Sequence, residues 1–298
     1  MATLRELKSR IGTVASSEKI TGAMKMISSA KMHKAEGILR RLQPFRHCVE
    51  TIIGNLLSSD AAVSSPLTAV RPTVNRAAIV VLGSDDGLCG AYNVNIFKSL
   101  LQTIADLRSQ AGNNVRIDII PVGKKMAAAV SKICASDPNL TFAPAEGIDS
   151  KSDGDAVKGL AMTLEQRFLD GDLDKVLLQY VHYISAGKQR QTCDAYLPLS
   201  QDTLAATGEK KATGRPYLFE PDAHTIFGTV LPMYLLSVMQ EAFAENRASE
   251  QAARVMAMQS ANDNAQKLLE QLQLEYNKLR QQSITTELLD IVGGQARD

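Results

Sequence analysis

The chain has 298 residues, of which 45% are apolar and 5% aromatic, and its formal net charge is +1. This length allows one large or two modest domains, and this apolar fraction is enough for a buried core. The near-neutral charge excludes a global signal for nucleic acid or for a membrane surface. The four cysteines are scattered without a CxxC or metal-ligand spacing, so we expect no metal site and a reducing, cytosolic setting.

The first residues predict one long helix. Apolar residues recur at helical spacing through 3–57, with a change of register after which Ile20, Met24 and Ile27 form a second seam. Pro44 lies inside this pattern and should kink the helix or end a turn there. Because four glycines also weaken the segment as an isolated helix, it needs a partner helix.

The charge of this helix is uneven. Residues 1–47 contain ten lysines and arginines but three glutamates, a local charge of +7. This excess fits an acidic partner surface, and it fits a solvated helix face equally well.

The middle of the chain, residues 74–215, alternates short β-branched runs with amphipathic helices. This alternation predicts a βαβ-type parallel sheet, to which a final hairpin through residues 185–187 adds one antiparallel strand. Residues 143–155 and 201–216 are rich in turn-forming and polar residues and are expected to be loops. The predicted elements are strand 76–82, helix 93–107, strand 115–122, helix 124–135, helix 156–170, strand 175–184 and strand 191–199.

The last segment predicts a second long helix, since residues 233–292 contain no glycine or proline. Gly293 and Gly294 follow where a helix C-cap belongs. The predicted fold class is α/β: a long antiparallel coiled coil of N- and C-terminal helices (1–58 and 222–298) with a Rossmann-like α/β domain (74–215). No run of 18 apolar residues is present, so we expect no membrane span.

The loop after the first strand, Gly83–Gly90, occupies the place where a doubly wound sheet binds phosphates. Its glycines are spaced GxxxGxxG instead of GxGxxG, and its two aspartates would repel a phosphate. A tight turn or a partner-facing loop is therefore favoured over a nucleotide site. Cys89 has no histidine nearby in sequence to activate it, so we predict neither a catalytic residue nor a cofactor.

Four segments together resemble the γ subunit of F-type ATP synthases. The resemblance spans the whole chain in the family's order and is weakest across residues 136–216. The segments are KITGAMKMISSAKMHKAE (19–36), GSDDGLCGAYN (83–93), ENRASEQAARVMAMQSANDNA (245–265) and YNKLRQQSITTELLDIVGG (276–294).

The resemblance implies a central rotor stalk that couples rotation of the membrane c-ring to catalysis and regulates ATPase activity and proton flow. Its partners would be the hexamer of α and β subunits, the ε subunit and the c-ring, with no nucleic acid. The catalytic residues of such a complex belong to the β subunits, so the chain itself would not be an enzyme. No transit peptide precedes Met1, which favours a peripheral protein on the cytoplasmic face of a bacterial inner membrane.

The resemblance also implies contact residues. Met24 and Lys25 match a position beside an acidic lever loop of a β subunit, and Arg280 and Gln281 match a pair that meets a β-subunit catch loop. The remaining matches are Thr285 and Glu287 in the terminal contact region, and Asp85, Gly87, Leu88, Cys89 and Gly90 in a central loop whose role the sequence does not explain.

Two other classes of protein remain open at this point. One is a nucleotide-binding α/β enzyme that dimerises through its terminal helices, which requires a phosphate loop. The other is a coiled-coil scaffold, which requires no basic or polar decoration at the helix ends.

Overall fold

The computed structural model describes residues 3–58, 63–200, 204 and 218–295, with side chains described as far as residue 289. The chain divides into two compact units. One combines Met1–Ser29 with Arg254–Asp298 and is called the terminal unit below, and the other is Ala30–Ala253, called the central unit. The helices and strands are α1 (Leu4–Leu57), a 3-10 turn (Pro66–Thr68), β1 (Arg76–Leu82), α2 (Tyr92–Ala111), β2 (Arg116–Val122), α3 (Lys124–Ser136), β3 (Leu140–Phe142), α4 (Gly154–Leu169), β4 (Lys175–Ser185), β5 (Lys188–Leu197) and α5 (Ala223–Gln295).

The central unit contains a five-stranded sheet in the order β3-β2-β1-β4-β5. The first four strands in this order pair in parallel, and β5 pairs antiparallel with β4 across a short hairpin. The predicted parallel sheet with one antiparallel addition is therefore confirmed. The prediction missed β3 and the 3-10 turn, because each has three residues and is too short to show a period.

Both faces of the sheet are covered. Alternate residues of β1 point to opposite sides, as the two-residue period of a strand requires. Ala78, Val80 and Leu82 join a core formed with α1, α4 and α5. Ala77, Ile79 and Val81 join a second core formed with α2 and α3. Burial on both faces explains why β1 is a continuous apolar run in the sequence.

Within the central unit, α1 and α5 run antiparallel, as predicted. Arg46 of α1 lies over the ring of Tyr234 and pairs with Glu241 of α5. Leu42, which precedes Arg46, shares a cavity with Phe243, which follows Glu241. The partner on α5 therefore moves toward its C-terminus as α1 is followed toward its N-terminus.

Two predicted interruptions do not end these helices. α1 continues through Pro44, although that proline donates no backbone hydrogen bond. α5 continues through Gly293 and Gly294 to Gln295, so the predicted C-cap at these glycines is wrong. A mid-helix glycine costs about 1 kcal/mol relative to alanine, which a long helix tolerates.

The terminal unit is formed by the first part of α1 and the last part of α5. Asn262 of α5 donates from Nδ2 to the carbonyl oxygen of Glu18 at 2.8 Å. A Cβ atom at Gly22 would lie 3.4 Å from the same amide, an ordinary van der Waals distance, so the two helices are in contact at this position. Ile20 and Ile27 are 59% and 55% exposed, and the predicted second seam is therefore wrong as a buried contact within the chain.

α5 contains an 18-residue window that is apolar enough to cross a membrane by length and composition, and 56% of that window is buried within the protein. Core helices pass the same test, so this property is weak evidence for a membrane span.

We expect Arg46→Ala to lower the free energy of unfolding of the chain by about 3 kcal/mol, because it leaves the buried carboxylate of Glu241 and the half-buried carboxylate of Glu50 without their cation. Urea denaturation of the purified chain measures this change. The control is Arg41→Ala, whose exposed side chain should matter by less than about 0.5 kcal/mol. Equal effects of the two substitutions would contradict the role assigned to the ion pair.

Candidate functional site

The residues singled out by sequence lie in three places. Asp85–Gly90 is a loop of the central unit, between β1 and α2. Met24 and Lys25 lie on α1 in the terminal unit. Arg280, Gln281, Thr285 and Glu287 lie on α5 in the terminal unit and are called the tip residues below.

Close packing holds the start of the loop against the end of β2. A Cβ atom at Gly83 would lie 2.7 Å from Cβ of Met126, and one at Gly123 would lie 2.8 Å from the backbone of Ser84. Both distances are shorter than real side chains allow, and Gly123 also has φ +96°. Glycine at these two positions therefore lets the loops after β1 and β2 touch.

Asp85 is buried, and both of its carboxylate oxygens accept hydrogen bonds from other residues of the chain. Its Oδ1 accepts from the amide of Lys124 at 3.0 Å, at the first residue of α3. Its Oδ2 accepts from the hydroxyl of Ser150 at 2.7 Å and from the amide of Ser150 at 3.2 Å. The carboxylate thus occupies the helix N-terminus that a phosphate would need.

These hydrogen bonds also determine the charge state of Asp85. Burial raises the pKa of a carboxyl group, but the hydrogen bonds from Ser150 and Lys124 stabilise the charged form and lower the pKa of Asp85 below its ordinary value. Asp85 is therefore a structural anion at neutral pH and is not suited to be a general acid.

Cys89 belongs to a small polar network. The amide nitrogen of Asn93 donates to the hydroxyl of Ser84 at 2.7 Å and to Sγ of Cys89 at 3.4 Å. The hydroxyl of Ser84 lies 2.9 Å from the carbonyl oxygen of Asp86. Cys89 is 3% exposed, so its thiol stabilises the turn and is not presented to a substrate.

The tip of the loop is exposed and unusual in its backbone. Leu88 has φ +62°, a left-handed conformation that a leucine rarely adopts, and its side chain is 62% exposed. Gly90 has φ +60°, which costs a glycine little. The strained, exposed leucine is a candidate contact for a partner.

The sequence did not reveal what the loop does, because the residue it binds lies far along the chain. Asn246 of α5 donates to the carbonyl oxygen of Gly83 at 3.0 Å. Tyr92, which follows the loop, places its hydroxyl 2.6 Å from Oδ1 of Asn246. The loop therefore joins the sheet to α5. The sequence contains one signal of this contact. After residue 244, polar residues alternate with small ones, a composition that fits neither a purely solvated helix face nor an apolar seam.

α5 is buried in this region although its residues are polar. Glu245 accepts from Nδ1 of His182 on β4 at 2.7 Å, and burial raises the pKa of Glu245 against the opposing effect of that histidine. Ser249 donates to the carbonyl oxygen of Val181 at 2.9 Å.

The geometry of the loop does not support nucleotide or metal chemistry. At the start of α3 the amide of Lys124 donates to Asp85 and that of Lys125 to the carbonyl oxygen of Ser84, and Asn246 covers the end of β1. The described residues contain no group of three or more histidine, cysteine, aspartate or glutamate side chains that could hold a metal ion.

Met24 and Lys25 are half-buried on α1, next to strongly exposed apolar side chains. Met26 is 70% exposed, and Ile20 and Ile27 are more than half exposed. No ion pair within the described part of the chain involves Lys25. This stretch of α1 therefore presents both charge and apolar area to solvent.

The tip residues occupy two adjacent sides of α5: Gln281 and Thr285 are four positions apart on one side, and Arg280 and Glu287 are seven positions apart on the other. All four are exposed, and the hydroxyl of Thr285 donates to the carbonyl oxygen of Gln281 at 2.9 Å. Leu288, three positions after Thr285, is 58% exposed on the side of Gln281 and Thr285. An exposed apolar face beside a polar one is typical of a protein interface.

Comparison with known proteins gives consistent results. A family model described as "ATP synthase" matches residues 3–296. The chain is 41% identical over 294 residues to the ATP synthase gamma chain of Bacteroides fragilis and 42% identical over 298 residues to that of Phocaeicola vulgatus, with 99% of each chain covered. Its fold resembles a chain in a cryo-EM structure of the Euglena gracilis mitochondrial ATP synthase, with a TM-score of 0.65, 20% identity, and 98% and 93% of the two chains covered.

We expect Asp85→Asn to destabilise the chain at pH 7 by about 1–3 kcal/mol. The side-chain amide nitrogen of an asparagine here cannot accept a hydrogen bond, whether it faces Lys124 or Ser150. The pKa of Asp85 is about 4 in the unfolded chain and lower in the folded one, so the charged carboxylate stabilises the fold above about pH 4. This stabilisation is lost as the pH falls through the pKa of the folded state. The difference in free energy of unfolding between the unsubstituted chain and Asp85→Asn should therefore become smaller at acidic pH.

Denaturant titrations at several pH values measure this difference. Asp86→Asn is the matched control, because Asp86 is exposed and its pairing with Lys151 at 3.4 Å lies on the surface. A pH-independent difference for Asp85→Asn would show that the carboxylate charge is not what stabilises the turn.

Proposed function

This chain belongs to the ATP synthase gamma chain family, and from that premise we propose that it is the central rotor shaft of a proton-translocating ATP synthase. In this proposal the c-ring turns the chain, and the chain drives the catalytic sites of the surrounding α and β subunits through their conformations in turn. The ε subunit is a further partner, and the chain regulates ATPase activity and proton flow through the complex.

The observation that carries this proposal is the exposed apolar face of α5 in the terminal unit. Ile284, Leu288 and Leu289 are 49%, 58% and 66% exposed near the end of the helix. Burying apolar area contributes about 25 cal/mol per Å², so a partner that surrounds this helix end would stabilise the pair. A collar formed by the α and β subunits supplies such a surface.

Charge supports the same assignment. Residues 1–47 carry a local charge of +7, and neither Lys25 nor Arg280 is ion-paired within the described residues. We assign Met24 and Lys25 to the acidic lever loop of a β subunit. We assign Arg280 and Gln281 to a catch loop, with Thr285 and Glu287 in the same contact. A guanidinium held without a partner can form a charge-assisted hydrogen bond with that loop.

We propose that the chain is a non-catalytic subunit. The buried polar groups of the loop after β1 are used in contacts within the chain, and its thiol is buried. The function of the loop is therefore structural, and the catalytic residues of the complex lie on the β subunits.

We also propose a domain organisation in which residues 1–58 and 222–298 form a coiled coil and residues 74–215 an α/β domain. The lengths of α1 and α5 and the sheet encoded between them support this division. The gamma chain relatives are bacterial, which supports a peripheral location on the cytoplasmic face of the inner membrane, reached through the complex.

Reconstitution with and without the chain tests the proposed function. Vesicles that contain the remaining subunits should build a proton gradient on ATP addition only after the chain is added. The gradient is measured by the fluorescence of a dye that is quenched when the vesicle interior becomes acidic. A gradient of equal size in the absence of the chain would exclude the shaft role.

We expect the double substitution of Arg280 and Gln281 by alanine to lower ATPase turnover of the assembled complex by at least about tenfold, since each charge-assisted contact is worth about 1.5–3 kcal/mol. The matched control is the substitution of Asn277 and Lys278 by alanine, which are equally exposed on the same helix but outside the tip residues. Turnover is measured at saturating ATP after confirming subunit composition. Equal losses in both variants would remove the assignment of the tip residues to the catch loop.

A further inference from the structure

We propose that Asn246 of α5 is a positioning residue in a torque-bearing joint between the sheet and α5, and that α5 receives rotation from the α/β domain through it. This inference rests on the proposed shaft function and identifies where within the chain the load passes. The joint is defined as the hydrogen bonds that Glu245, Asn246 and Ser249 of α5 make to the loop after β1, to Tyr92 and to β4.

Asn246 occupies the centre of the joint. It is 3% exposed, donates to the carbonyl oxygen of Gly83 at 3.0 Å, and accepts at Oδ1 from the hydroxyl of Tyr92 at 2.6 Å. The same hydroxyl lies 2.9 Å from the backbone carbonyl oxygen of Asn246. The side-chain amide thus binds the turn at both of its polar ends.

Two further contacts lie on neighbouring positions of α5 and reach the adjacent strand. Glu245 accepts from His182, and Ser249 donates to the carbonyl oxygen of Val181. β1 and β4 are neighbours in the sheet, so α5 is held by two adjacent strands at their carboxyl ends.

Hydrogen bonds resist movement in a way that apolar contacts do not. A hydrogen bond requires a donor–acceptor distance of about 2.7–3.2 Å and a narrow range of angles, whereas apolar burial depends on area and not on direction. The rise of a helix is about 1.5 Å per residue, so sliding or rotating α5 by one residue breaks every contact of the joint. Buried polar groups without partners make that displaced state unfavourable.

Among the described residues, the hydrogen bond between α1 and β4 is more exposed than those of Asn246. Tyr183 donates to the carboxylate of Glu36, whose side chain is 23% exposed and therefore open to competition by water. The contacts of Asn246, in contrast, are closed to solvent. Load from the sheet is therefore passed to α5, the helix that carries the tip residues.

The contacts of Asn246 also give a role to the loop after β1, which the sequence did not explain. Gly83, Asp85 and Cys89 hold the turn that presents the carbonyl oxygen of Gly83 and the hydroxyl of Tyr92 to α5. The hydrogen bonds that Asp85, Ser84 and Cys89 make within the chain stabilise this conformation of the turn.

The test uses the complete complex in vesicles with Asn246→Ala and, separately, Tyr92→Phe, which removes a single hydroxyl and retains the ring. ATPase activity is measured without load, in the presence of an uncoupler, and the maximal proton gradient is measured without it. Asn95→Ala is the matched control, because Asn95 is exposed on α2 close to the same loop.

We expect unloaded ATPase activity per assembled complex to be unchanged in both joint variants. The maximal gradient should fall, because the loss of about 1.4 kcal/mol of directional contact raises the frequency of slipping about tenfold under load. Asn95→Ala should retain both quantities.

Three results would overturn the inference. They are a full gradient in Tyr92→Phe and Asn246→Ala, a proportional fall of loaded and unloaded activity, and an equal fall in Asn95→Ala. A proportional fall indicates a role in folding or assembly alone. The shaft function itself is tested by the unsubstituted chain, since a complex that builds no gradient with that chain contradicts the function and not the joint.

Discussion

The hydrogen bonds of Asn246 fix the position of α5 on the sheet, and the arrangement of the central unit depends on this constraint. Buried polar groups are stable only when each has a partner. Around Asn246, the neighbouring Glu245 and Ser249 are buried as well, and each has a partner on β4. A helix of 73 residues could occupy many positions on an apolar surface, but this polar stretch fits in one.

The same constraint accounts for the loop after β1. In a doubly wound sheet this position commonly receives a ligand, because helix N-termini and glycine-rich turns offer free donors there. Here Asp85 takes the donor at the start of α3, and Gly83 offers its carbonyl oxygen to Asn246. The chain therefore fills the ligand position with its own side chains. Glycine at 83 and 123 remains necessary, although its purpose is contact between two turns and not space for a phosphate.

Periodicity in the sequence was sufficient to predict the two long helices, four of the five strands and the antiparallel direction of the last strand. It failed where the deciding contact is remote or absent. β3 is a strand only because β2 pairs with it, and its three residues contain no period. Ile20 and Ile27 follow helical spacing, but the spacing does not say whether an apolar stripe faces its own chain or another. The partner of the loop after β1 lies more than 150 residues away, beyond any local pattern.

The two parts of α5 invert the usual distribution of polarity. In the central unit it buries charged and amide side chains such as Glu245 and Asn246, and in the terminal unit it exposes Leu274, Ile284 and Leu288. Burying polar side chains and exposing apolar ones are each unfavourable in isolation. The first is compensated within the chain, because the sheet supplies a hydrogen-bonding partner for the buried groups. The second has no such compensation among the described residues, so its partner must come from other subunits. A shaft requires this combination, since one part of the helix must be held firmly by its own domain while the other turns against a surface to which it is not fixed.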